Sequence, residues 1–123
     1  MSQETSKRLV VNLTNNASND RSSVAFTVAN AALSKGFEVG IFLNADGVEL
    51  SREGGCELTH VQPLKPLAEL IESFTQSGGV VWACTPCFKH RGLREDEVIE
   101  GAIVTGAGPM LEWVAGGAQV VSY

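Results

Sequence analysis

Cysteine, tyrosine and proline are scarce in this sequence: three, one and four residues in a chain of 123. Three cysteines, an odd number in a chain long enough to build a real core, do not make the disulfide framework of a small secreted domain. Reduced thiols in a reducing compartment are the simpler reading, and a cytoplasmic location is expected. Long apolar runs are absent too. No segment approaches the roughly 18 consecutive apolar residues of a membrane span, so no membrane association is expected. The stretch from Met1 to Arg8 is polar, and Leu9-Val10-Val11 behind it is too short for the apolar region of a secretion signal. Positive charge is also in deficit. Nine Lys and Arg stand against fourteen Asp and Glu, a net charge of −5, which argues against the broad basic surface of a nucleic-acid binder. There is no internal repeat, low-complexity tract or linker, so residues 1–123 are expected to form one α/β domain.

What is present looks like an ordinary globular chain, with 44% hydrophobic and 19% charged residues. Short apolar runs alternate with amphipathic stretches. Leu9 to Leu13 reads as a strand stopped by Thr14-Asn15-Asn16. From Ser18 to Lys35 the spacing of Val24, Val28, Ala31 and Ala32 predicts a helix that buries those residues and ends at Gly36. Phe37 to Leu43 reads as a second strand closed by Asn44-Ala45-Asp46-Gly47, and Val48 to Gln62 as irregular. Leu64, Leu67, Ala68, Ile71 and Phe74 mark one apolar helix face ending at Gly78-Gly79. Val80 to Ala83 is a third strand, followed by a short helix near Pro86 and an acidic helical start at Glu95 to Glu97. Ala102 to Val104, Pro109 to Ala115 and Ala118 to Ser122 complete the chain as strand, helix and strand.

The strand segments are apolar at consecutive positions, which suggests a sheet covered on both faces. Alternation with helices then implies right-handed crossovers and a three-layer α/β/α sandwich around a mainly parallel five-stranded sheet. Sites in such sheets gather beyond the carboxyl ends of the strands. Those ends carry Asn15 and Asn16, Asn44 and Asp46, Cys84, and Thr105-Gly106, so Asn15, Asn16, Asn44, Thr105 and Gly106 are candidates to line a cleft around Cys84.

The segment from Val80 to Gly92, VVWACTPCFKHRG, carries most of the chemistry. Its strand delivers Cys84 to the sheet edge. Thr85 can act as N-cap and Pro86 as the first helical residue, a position that needs no N–H donor. Free N–H groups at that helix end, with Lys89, His90 and Arg91 nearby, favour the thiolate and lower the expected pKa of Cys84. The plainer alternative is a buried cysteine acting as a small hydrophobe.

Cys84 and Cys87 also form a C-x-x-C pair. Comparison with the thioredoxin site fails, because Ala83 separates Trp82 from Cys84 and too little chain follows Cys87 for that fold. A dithiol–disulfide exchange with Cys87 as resolving thiol needs no such fold. Cys84, Cys87 and His90, with Cys56 and His60, invite comparison with a zinc site, but one C-x-x-C without a second matching pair is weak support, and no metal is expected. Cys56 and His60 read as loop residues. Thr105-Gly106-Ala107-Gly108 lacks the spacing of a dinucleotide-binding turn, and turn chemistry accounts for Asn12, Asn15, Asn16 and Asn19.

Taken in order, these segments resemble the DsrE family. Val10-Val11-Asn12-Leu13 followed by an alanine-rich helix ending in Leu33-Ser34-Lys35-Gly36-Phe37-Glu38-Val39 is similar to the family's opening. So is Ile41-Phe42-Leu43-Asn44-Ala45-Asp46-Gly47-Val48, a strand ending in a Gly-containing turn before a short helix. Cys84 with Arg91-Gly92 resembles the reactive cysteine of the family and the Arg-Gly after it, and Gly101 to Val121 resembles its closing strand–helix–strand. The similarity runs from residue 8 to residue 122.

The resemblance implies a sulfur carrier without cofactor. Cys84 would hold sulfane sulfur as a persulfide and pass it between a donor and an acceptor protein, in a homotrimer or homohexamer. Apolar groups such as Trp113 and Tyr123, expected at the surface, are compatible with assembly. Cys87 departs from relatives with one cysteine in this loop. Two alternatives stand beside the carrier: a non-catalytic oligomeric module that binds a small molecule or a protein, and a dithiol redox protein using Cys84 and Cys87.

Overall fold

The computed structural model describes residues 7–123. Five strands form its sheet: β1 Arg8–Leu13, β2 Glu38–Leu43, β3 Val80–Cys84, β4 Ala102–Thr105 and β5 Gln119–Ser122. They lie in the order β4-β3-β2-β1-β5, and every neighbouring pair is parallel. The chain therefore steps outward from β1 to β4 and returns with β5 on the other side of β1. Helices α1 (Asp20–Ser34), α2 (Leu67–Gln76), α3 (Thr85–His90) and α4 (Gly108–Ala115) make the crossovers.

Strand alternation sorts the side chains between the faces. Leu9, Val11, Leu13, Val39, Ile41, Leu43, Val81 and Ala83 point to the side covered by α1 and α2, where they pack with Phe26, Ala29, Leu70, Ile71 and Phe74. Val10, Phe42 and Trp82 point to the opposite side and meet Met110 and Trp113 of α4. The expected three-layer sandwich forms. Its second layer is thin: Trp113 meets Trp82 edge-on at 5.2 Å, and the guanidinium of Arg8 lies 4.5 Å from the Trp113 ring. Gly40 sits beneath Trp82, where a Cβ would overlap the indole, so a bare strand position admits the large ring.

Several expectations change. The α1 face that turns inward carries Ser22, Ser23, Ala25, Phe26 and Ala29, while Val24 is 39% exposed and Ala31 is also exposed. Ser22 tolerates burial because its hydroxyl donates to the carbonyls of Asn15 and Asn16 at 2.8 and 2.7 Å. Apolar spacing alone does not disclose such a partner. Residues Ala45–Ser51 form a 3-10 helix that buries Val48 and Leu50, where irregular chain was expected from Val48. Helix α2 begins at Leu67, leaving Leu64 in the preceding loop, and Glu95–Glu97 makes only a short 3-10 helix. Trp113 and Tyr123 are half-buried; Tyr123 packs against the main core. No helix among the described residues is long and apolar enough to cross a membrane.

Candidate functional site

Cys84 ends β3 and begins α3. Its backbone is still extended (φ −61, ψ 119), and it is the N-cap residue of α3, with Thr85 and Pro86 in the first turn. The N-cap expected at Thr85 therefore falls one residue earlier, because Cys84 remains paired to Thr105 in the sheet and only the next residue enters the helix. One helical turn later, Cys87 returns its side chain to the same end. The two Sγ atoms lie 3.0 Å apart, and both residues are half-buried.

The other wall of the site comes from the turn after β2. Asn44 is tied back by its side chain, which donates to Asn12 Oδ1 at 2.6 Å and to the Phe42 carbonyl at 3.3 Å. Ala45 follows in the left-handed region at φ 51, the one non-glycine with positive φ among the described residues. That conformation costs an L-residue about 1 kcal/mol or more, and the Ala45 N–H acts on the sulfur of Cys87 toward ionisation. Gly47 lets the 3-10 helix press against the end of β1, because a Cβ there would meet the Leu13 carbonyl oxygen.

Arg91 joins the two walls. Its Nη1 donates to the Cys87 carbonyl at 3.1 Å and its Nη2 to Asp46 Oδ1 at 2.7 Å, while Nε lies 3.8 Å from Glu49 Oε2. Glu49 in turn accepts from Asn16 Nδ2 at 3.2 Å. This chain of contacts fixes the end of α3 against the 3-10 helix.

The electrostatics correct the expectation of a lowered pKa at Cys84. Burial, then the hydrogen bond with Cys87, pushes Cys84 above its ordinary value, and Arg91 offsets this only in part. For Cys87 burial also opposes ionisation. The hydrogen bond with Cys84, the Ala45 N–H and Arg91 outweigh it, so this thiol lies below its ordinary value. Either sulfur can supply the shared proton; ionisation of Cys87 leaves Cys84 as the donor. The Cys87 N–H acts on Cys84 toward ionisation without closing a cap hydrogen bond. Of the three expected cations, Arg91 alone acts on the sulfurs, whereas Lys89 and His90 stand exposed on the outer side of the short helix.

The cleft-lining candidates separate. Thr105 is beside Cys84 in register, and Gly106 follows it, exposed. Asn44 shapes the Ala45 turn. Asn16 reaches the site through Glu49, while its Oδ1 accepts from the backbone and hydroxyl of Ser18. Asn15 contributes a carbonyl to Ser22. A cavity of about 530 Å³ lies away from these groups, lined by Leu50, Cys56, Ile71, Glu72 and Ile99 among others, and a smaller one lies beside Lys65 and Glu69. Neither is lined by Asn15, Asn16, Asn44, Thr105 or Gly106.

Sequence reading missed Ala45 and Glu49. The clue to Ala45 was its place in the strand-closing turn, but its N–H, which no side chain announces, does the work. Asp46 stood at a strand end without an assigned role. Among the described residues, no group of three or more His, Cys, Asp or Glu could hold a metal ion. Cys56 sits apart, its thiol raised by burial and then by Glu57, and His60 bonds the Leu64 carbonyl at 2.8 Å.

Two neighbouring thiols at a strand end, one of them held below its ordinary pKa, can act as nucleophile and base, or close a disulfide.

Comparison with known proteins agrees with this geometry at the level of family and fold. The model of the DsrE/DsrF-like family matches residues 7–123. The uncharacterized protein MK0008 of Methanopyrus kandleri is 35% identical over 104 residues, covering 85% of this chain and 83% of that protein. The uncharacterized protein MJ0989 of Methanocaldococcus jannaschii is 32% identical over 104 residues, covering 85% and 88%. Among solved structures, the ychN protein of E. coli superposes with a TM-score of 0.76 at 16% identity, covering 97% of this chain and 100% of that one.

Proposed function

The chain belongs to the DsrE/DsrF-like family, and from that membership we propose that it is a sulfur-relay component holding sulfane sulfur as a persulfide on Cys84 and passing it to a partner thiol. One observation carries the reading to these residues: the Cys84 and Cys87 sulfurs lie 3.0 Å apart at the carboxyl edge of the sheet, with an N–H and a guanidinium acting on Cys87. As Cys84 attacks the terminal sulfur of a donor, its proton passes to the Cys87 thiolate. Cys87 is then the base that activates its neighbour. The bond formed is Sγ–S, the bond broken is the one holding that sulfur to the donor, and the donor leaves with the electron pair. An acceptor cysteine attacking the outer sulfur returns Cys84 to a thiol.

The partners in this reading are sulfur donor and acceptor proteins, no cofactor is needed, and the setting is the reducing cytoplasm. Assembly as a homotrimer or homohexamer belongs to the same proposal. Ile103, Leu111, Val114 and Val120 are exposed apolar side chains on the edge strands and α4, available to be covered. Sedimentation of the full chain measures this directly, and a monomer at micromolar concentration would count against it.

The carrier chemistry is tested by incubating the wild-type chain briefly with inorganic polysulfide, quenching in acid and measuring intact mass. The expected result is a gain of one sulfur atom on Cys84, absent when Cys84→Ser is added. Folded wild type that never gains sulfur would favour a binding module instead.

A further inference from the structure

The 3.0 Å separation of the two sulfurs has a consequence for what happens once Cys84 is loaded. An acceptor thiol is already in place, nearer than any a partner must bring. We infer that Cys87 is a built-in acceptor, which displaces hydrosulfide from the Cys84 persulfide and closes a Cys84–Cys87 disulfide. This rests on the carrier reading and adds to it a second product and a limited lifetime for the loaded state.

The geometry favours attack at the inner sulfur. Cys87 Sγ stands against Cys84 Sγ itself, and Cys84 as N-cap with Cys87 in the first turn of α3 holds the pair at one end of the helix. Arg91 fixes the Cys87 carbonyl at 3.1 Å, and it is anchored by Asp46 at 2.7 Å, so the attacking residue is clamped from behind. The Ala45 N–H and the guanidinium favour its thiolate, the form that attacks. Hydrosulfide is also a better leaving group than an alkyl thiolate, since the weaker base departs faster.

The step balances. Once the proton taken from Cys84 during loading has passed to solvent, the Cys87 thiolate forms a bond to Cys84 Sγ, the bond between that atom and the outer sulfur breaks, and the outer sulfur leaves with the electron pair as hydrosulfide. The sulfane sulfur is reduced to sulfide while the two cysteine sulfurs are oxidised to a disulfide. Return to the dithiol requires an external dithiol reductant, which exchanges with the disulfide in the usual way. A partner thiol that arrives sooner receives the sulfur intact. When none arrives, Cys87 empties the carrier and leaves it closed to further loading until it is reduced.

The test uses the whole chain with inorganic polysulfide as probe. Wild type is loaded briefly, and Cys87→Ser and Cys87→Ala, which lack the base, for longer until they carry the same added sulfur; all are then quenched in acid, desalted and returned to neutral pH without added thiol. Wild type is expected to lose the added sulfur and two hydrogens, to release one equivalent of sulfide, and to yield a linked Cys84–Cys87 peptide. Both variants should hold the extra sulfur at least about tenfold longer, since a positioned intramolecular nucleophile outruns solution exchange. If wild type holds its sulfur as long as the two variants, the built-in acceptor is overturned while the carrier stands. A disulfide that maps to Cys56 overturns it equally. Wild type that folds by circular dichroism yet neither gains sulfur nor releases sulfide overturns the carrier reading itself.

Discussion

Arg91 Nη2 lies 2.7 Å from Asp46 Oδ1 and joins the end of α3 to the 3-10 helix after β2 across 45 residues of sequence. The same guanidinium lowers the thiol of Cys87 and opposes the upward shift of Cys84. Replacing it with the uncharged Arg91→Gln removes that pull. The midpoint of Cys87 alkylation should move to higher pH, and the rate at neutral pH should fall, because less of the sulfur is thiolate there. Iodoacetamide labelling across pH, read by peptide mass, measures the shift. A midpoint unchanged from wild type would remove Arg91 from the site.

The order of thiol reactivity is a second expectation. Cys87 is held below its ordinary value, while Cys84 and Cys56 are pushed above theirs. At neutral pH, below the ordinary thiol pKa of about 8.5, limiting alkylating reagent should label Cys87 ahead of both. The preference should narrow as pH rises and the other two ionise. Labelling of Cys56 first would contradict the electrostatics described above.

Cys84 touches both cores from a half-buried position, and its thiol contributes little volume. Cys84→Ala should cost about 1 kcal/mol or less in urea unfolding. A loss of several kcal/mol, the size seen when core sites are emptied, would mark Cys84 as structural.

The inward face of α1 can be tested against its outward one. Phe26 is fully buried, with its ring edge-on to Phe74 at 5.7 Å, so Phe26→Ala should cost about 3–5 kcal/mol. Val24→Ala, at an exposed site, should stay within about 0.5 kcal/mol. Denaturant midpoints for the two variants decide between this face and the one that apolar spacing suggested.

Gly40→Ala places a methyl into the Trp82 ring, which is itself packed on Trp113. Overpacking of this kind costs about 1–3 kcal/mol. The near-ultraviolet circular dichroism of the tryptophans should change with it. A stable variant with an unaltered tryptophan signal would show that the Trp82 ring does not close on Gly40.

Much of the layout was readable because each strand is a short, doubly apolar run bounded by turn residues. Leu9 to Leu13 and Val80 to Ala83 could be placed to within a residue or two, and the order of elements implied a parallel sheet with Cys84 at its carboxyl edge. The α1 face was less legible, since the buried hydroxyl of Ser22 depends on two carbonyls in the preceding turn. Lys89, His90 and Arg91 are adjacent in sequence and look equivalent. A helix sends neighbours in different directions, and Arg91 alone turns toward the sulfurs.

By itself the sequence determined the alternation of strands and helices, the reach of the family resemblance, and the presence of two thiols three residues apart. Those properties depend on local patterning and spacing, which the linear chain carries in full. Which thiol is the more acidic was decided only by tertiary structure. That difference arises first from the hydrogen bond between the two sulfurs, then from the Ala45 N–H supplied by the turn after β2 and a guanidinium anchored on Asp46. Electrostatic effects follow distance in space, and no pattern along the chain records which groups the fold will bring together.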